Sequence, residues 1–136
     1  MPFNTSVVLA SLTLGIVLPA PCSRADESPE LPPAAHQSGV TYAADISPMF
    51  ERSCIDCHGA EKQKAKLRLD TLEFTLQGAG DEKVVVPGES AKSELVLAVA
   101  HATKDEDKWM PKGRNAKKLT ADEIGLIRAW IDQGAK

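Results

Sequence analysis

Cys54-Ile55-Asp56-Cys57-His58 places two thiols three positions apart with an imidazole directly after the second. At this spacing each sulfur can add across a vinyl group of a porphyrin, and the adjacent histidine is then delivered to one axial face of the iron. Attachment and ligation come from one helical turn, so a chain carrying this pentapeptide is expected to fold around a single covalently bound haem c. The same residues also suit a zinc site built on the Cys-x-x-Cys pair, or a thioredoxin-like dithiol that precedes a histidine.

The start of the chain bears on that choice. Val7 to Leu18 reads VVLASLTLGIVL, the length of a signal-peptide core and too short to cross a bilayer. Small residues follow, and Ser23-Arg24-Ala25 is the expected cleavage site, with residues 1–25 forming the signal peptide. The expected location is therefore the periplasm or an equivalent compartment outside the cytoplasm, without stable membrane insertion after cleavage. Cleavage also removes Cys22 and leaves Cys54 and Cys57 as the remaining cysteines, too few for a separate disulfide framework. Covalent haem proteins are completed outside the cytoplasm, so export of an isolated thiol pair favours haem over the zinc and dithiol readings.

Charge and length narrow the class further. The full chain of 136 residues has a formal net charge of −3, and cleavage removes Arg24 but no acidic residue. An acidic chain of this size is one domain that does not coat nucleic acid. The aromatic residues left are Tyr42, Phe50, Phe74, Trp109 and Trp130, a short supply that a porphyrin would supplement as apolar bulk.

Residues 26–39 include Pro29, Pro32 and Pro33 and show no periodicity, which predicts a flexible leader ahead of a domain over residues 40–136. Ile46, Met49, Phe50 and Cys54 at helical spacing predict a short helix running into the pentapeptide and stopping at Gly59, with Pro48 in its first turn. Val84-Val85-Val86 reads as a short extended segment, Ser90 as the N-cap of a helix over Leu95, Val96 and Val99, and Asp105 to Asn115 as a loop. Thr120 and Glu123 form a capping box before an apolar stripe of Ile124, Ile127, Trp130 and Ile131, with Gly134 as the stop. That stripe is expected to dock on the helix carrying Ile46 and Phe50, with Gly125 permitting close approach.

For the second axial position of the iron, Met110 is the leading candidate. Pro111 biases it to an extended backbone and stiffens the loop that presents its sulfur. His101 and a vacant position are the alternatives, and a gap-filling methionine beside Trp109 is the plain structural reading. A His/Met pair raises the reduction potential relative to two imidazoles.

Taken together, Tyr42 to Phe50, the pentapeptide with Gly59, Leu67 to Thr71, Val86-Pro87-Gly88, Ser93-Glu94-Leu95, Met110-Pro111 and Trp130 to Ala135 give the chain a resemblance to the planctomycete-type cytochrome c domain, a relative of the small class I cytochromes c. The resemblance spans Val40 to Lys136. It implies an all-α fold with N- and C-terminal helices packed around covalent haem, Cys54 and Cys57 as attachment points, and His58 and Met110 as axial ligands. The function expected is one-electron transfer outside the cytoplasm between a donor and an acceptor protein, with no catalytic residue. Lys62, Lys64, Lys66, Lys108, Lys112, Arg114, Lys117 and Lys118 either steer an acidic partner or serve as solubilising charges. A haem sensor or peroxidase-like enzyme with an open distal site is the competing reading.

Overall fold

Five short α-helices joined by turns make up the regular structure of residues 30–136, the part described by the computed structural model, and no strand occurs among those residues. Thr41, extended, accepts a hydrogen bond from the Ala44 N–H and opens a wide helical turn over Tyr42–Ile46. This turn runs into α1, Ser47–Ser53, whose Pro48 sits where no N–H partner is needed. Cys54 breaks the helical dihedrals, and α2, Ile55–His58, follows at once. The sequence predicts one helix here; the structure has two segments joined by a kink at the first cysteine.

Thr71 caps α3, Leu72–Gln77, through a hydrogen bond from the Phe74 N–H. Val84 and Val85 are buried but irregular in backbone, so the expected extended segment forms no ladder. Ser90 begins a single tight turn, Ser90–Lys92, and Ser93 rather than Ser90 flanks α4, Glu94–Val99. The Ser90 hydroxyl is engaged elsewhere: it donates to Asp132 at 3.0 Å and accepts from Arg128 at 3.1 Å. After α4 the chain is loop, broken by turns at Glu106–Lys108 and Gly113–Ala116.

The C-terminal helix α5, Ala121–Asp132, starts at the expected capping box, with both reciprocal bonds between Thr120 and Glu123 present. Its stripe of Ile124, Ile127, Trp130 and Ile131 is buried. Trp130 meets Tyr42 at 5.9 Å between ring centroids, Tyr42 meets Phe50 edge-on at 6.1 Å, and Arg52 of α1 pairs with Glu123 at 2.6 Å. The expected docking of the terminal helix on the first one is thus realised through an aromatic cluster.

Gly125 serves a different neighbour from the one its position suggested. A Cβ there would lie 2.6 Å from the Pro33 carbonyl oxygen, so the glycine admits the chain of residues 33–35, and the Ala35 N–H donates to the Gly125 carbonyl at 2.8 Å. Arg128 donates to the Pro32 carbonyl, and Gln133 to that of Gln37 at 2.7 Å. These bonds hold residues 32–37 of the expected flexible leader along α5, although that segment contains neither helix nor strand. Residues 26–29 of the expected leader, and the expected signal peptide, lie outside the described residues.

Candidate functional site

The turn that carries Cys54, Cys57 and His58 is shaped by its own backbone. The His58 N–H donates to the Cys54 carbonyl at 2.9 Å, and the Cys57 N–H donates to the same carbonyl at 3.1 Å, which puts the three side chains on one short helix. Gly59 closes it where a Cβ would lie 2.7 Å from the Ile55 carbonyl oxygen, too close for any other residue. Both cysteines are free thiols and both are partly buried. Burial pushes the Cys54 thiol up to about 12, the Arg52 charge opposing this only weakly.

His58 is buried, and its orientation is fixed from two sides. Nδ1 lies 3.1 Å from the Lys64 carbonyl, so that nitrogen carries the proton, and no hydrogen bond engages Nε2 among the described residues. Burial lowers the imidazole's pKa and favours the neutral ring, with the Leu67 and Lys64 carbonyls working in the other direction. The Lys64 carbonyl owes its position to a tight turn in which Ala65 and Lys66 both adopt left-handed dihedrals, φ 54° and 59°. On the other side, the Leu69 N–H donates to the His58 carbonyl at 2.8 Å, and the Leu69 carbonyl accepts from the Tyr42 hydroxyl at 2.7 Å. A hydrogen-bonded path therefore runs from the aromatic core to the backbone of the histidine.

Met110 lies on a separate segment. Its N–H donates to the Ala98 carbonyl at the end of α4, 3.0 Å away, and its side chain packs partly buried against the core. No hydrogen bond among the described residues joins this segment to the turn of His58. His101 lies beside Met110, with Nε2 3.1 Å from the Met110 carbonyl, an association that sequence spacing gave no sign of. Lys62, Lys64, Lys66, Lys112, Arg114, Lys117 and Lys118 are exposed, while Lys108 is paired with Glu94 at 3.0 Å.

These features can be set against each group the pentapeptide suits. A tetrahedral zinc site needs four closing donors, and no group of three or more His, Cys, Asp and Glu side chains converges among the described residues. A redox dithiol needs a thiolate at neutral pH, and burial works against one at Cys54. An iron porphyrin brings four nitrogens of its own and asks the protein for sulfurs to anchor it, an unengaged imidazole nitrogen and apolar cover. The free thiols and Nε2 of His58 fit the first two of those requirements.

Comparison with known proteins points the same way. Residues 54–113 match the family model described as Planctomycete cytochrome C, a span that begins at the first cysteine of the pentapeptide and takes in Met110. The chain matches no curated protein and no solved structure. The all-helical fold and this match support a planctomycete-type cytochrome c domain in the chain, a family whose name implies haem c binding.

Proposed function

We propose that the protein is a monohaem c-type cytochrome that carries single electrons between redox partners outside the cytoplasm. Cys54 and Cys57 would hold the haem through thioether bonds, formed as each S–H adds across a vinyl group, and Nε2 of His58 and the Met110 thioether would ligate its iron. When bound, haem c supplies one reversible electron at iron. The observation that carries this reading is the Nδ1 bond of buried His58 to the Lys64 carbonyl, since it fixes the tautomer and leaves Nε2 available as a ligand.

The remaining residues serve that role without any substrate site. The path Tyr42–Leu69–His58 resists movement of the imidazole when the iron's charge changes. Small rearrangement is what an electron carrier needs, and a tightly held sixth ligand keeps small molecules off the metal. The apolar stretch Val7 to Leu18 supports export, and among the described residues no helix is long and apolar enough to cross a membrane.

Mass measurement and pyridine haemochrome analysis of natively exported protein test the attachment: one haem per chain supports it, and the bare polypeptide mass overturns it. The ligand assignment is tested by Met110→Ala. The parent protein is expected to show, when oxidised, the weak red-edge band of methionine-ligated ferric haem, and the variant to lose it, with a lower midpoint potential and an iron open to cyanide and carbon monoxide. A high-spin parent that binds these ligands freely would favour the sensor or peroxidase-like reading instead.

A further inference from the structure

Met110 sits in the longest irregular stretch after α4, where residues 102–119 contain turns at Glu106–Lys108 and Gly113–Ala116 but no α-helix to set its position. Its peptide is nevertheless gripped at both ends. The Met110 N–H donates to the Ala98 carbonyl at 3.0 Å, and the Met110 carbonyl lies 3.1 Å from Nε2 of His101. A carbonyl only accepts, so His101 holds its proton on Nε2 and donates.

The histidine is itself held. Its ring stacks on that of Trp109 at 4.8 Å between centroids and 4° between planes. The indole Nε1 of Trp109 in turn donates to the Thr103 carbonyl at 3.2 Å, which keeps the stacking partner in place. His101 reaches this position from the end of α4 in a left-handed conformation, φ 56°, which a residue with a Cβ adopts at a cost. Strain at one residue, a stacked ring and a donor aimed at a neighbour's carbonyl all converge on the same peptide.

We propose that His101 is the positioning residue of the methionine loop: its Nε2–H, braced by the stack on Trp109, fixes the Met110 peptide and with it the thioether. The inference rests on Met110 being the distal ligand, and it goes beyond that reading by assigning what keeps the ligand in place. It also gives the histidine a role different from ligation, with Nε2 spent on the Met110 carbonyl. A thioether is a weak ligand, more easily lost from ferric than from ferrous iron, so the oxidised state is where the clamp matters most.

The test uses the holoprotein and two variants that separate stacking from donation. His101→Phe keeps a flat ring for Trp109 and has no N–H, while His101→Gln restores an amide N–H near the Nε2 position. Expected for the phenylalanine variant are a weakened red-edge band in the oxidised protein, a lower midpoint potential and about tenfold faster cyanide uptake, the scale of one lost hydrogen bond. The glutamine variant is expected to return all three toward the parent values.

A folded His101→Phe protein with the parent band and parent cyanide rate overturns the assignment, and so does equal impairment in both variants, which would make the role one of packing. Met110→Ala separates the two levels. If it leaves the oxidised band unchanged, the ligand reading and this inference fall together; if it abolishes the band while His101→Phe preserves it, only the role of His101 falls.

Discussion

At the scale of single residues, polar groups in this small domain divide between those that are satisfied and those that are not. Ser93 is fully buried, and its hydroxyl accepts from the Val86 N–H at 2.9 Å while donating to the Glu89 carbonyl at 3.1 Å, so it ties the 86–90 turn to the start of α4. The buried Ser53 hydroxyl beside Cys54 has no hydrogen-bond partner. Removing a satisfied group leaves its partners orphaned, whereas removing an unsatisfied one relieves a desolvation cost. Ser93→Ala is therefore expected to lower stability by about 1–3 kcal/mol and Ser53→Ala to leave it unchanged or slightly raised. Urea unfolding of the two variants checks this, and equal losses would contradict it.

The residues of the site differ in how readable they were for a related reason. Cys54, Cys57 and His58 are contiguous, so their chemistry is written in local spacing. The Lys64 carbonyl that orients His58 is a backbone atom presented by two left-handed residues, and neither Ala65 nor Lys66 advertises that conformation. The role of His101 was not legible, because its partner is again a main-chain oxygen and its stack on Trp109 crosses a turn.

Among the elements, α5 is the one whose sequence specified it fully, since cap, stripe and stop are all local signals. Thr120→Ala removes the cap and is expected to cost about 1 kcal/mol. Glu123 adds a pH dependence. Burial pushes its carboxyl up, but the Thr120 N–H and the Arg52 guanidinium outweigh that and hold it below the usual range. A carboxyl depressed in the folded state contributes stability above its unfolded pKa and loses it as pH falls through the folded value. Glu123→Gln is accordingly expected to lower stability at neutral pH, to change it little at acid pH and so to flatten the acid side of the stability curve, read from thermal midpoints across that range. The shorter elements were less legible. The α4 cap is displaced from Ser90 to Ser93 because the Ser90 hydroxyl is engaged by Asp132 and Arg128 of α5. The predicted partner of Gly125 was wrong because a proline-rich stretch without periodicity gives no sign that its carbonyls will be bound.

For the whole molecule, the buried cluster of Tyr42, Phe50, Ile46, Ile127, Trp130 and Ile131 supports the fold from one side. Leu67, Leu72, Leu76, Ala100 and Met110 pack on it and stay half exposed. Covering them with porphyrin removes apolar surface from water at about 25 cal/mol per Å². A Cys54→Ala/Cys57→Ala protein that carries no haem is expected to melt at lower temperature than the holoprotein and to bind a hydrophobic dye, while keeping helical circular dichroism from α5. Equal melting temperatures would show that these side chains need no cover.

The bonds of α5 reach far back along the chain: 71 positions from Glu123 to Arg52, 96 from Arg128 to Pro32 and 96 from Gln133 to Gln37. None of them can exist until that helix has been delivered, and contacts so distant close slowly. In the proposed export, N-terminus first, the CIDCH pentapeptide would cross ahead of that helix and remain in an open polypeptide, within reach of whatever machinery joins the porphyrin to it. Arrival of α5 would then shut that interval, so in the proposed cytochrome the clasp that closes the fold would follow attachment.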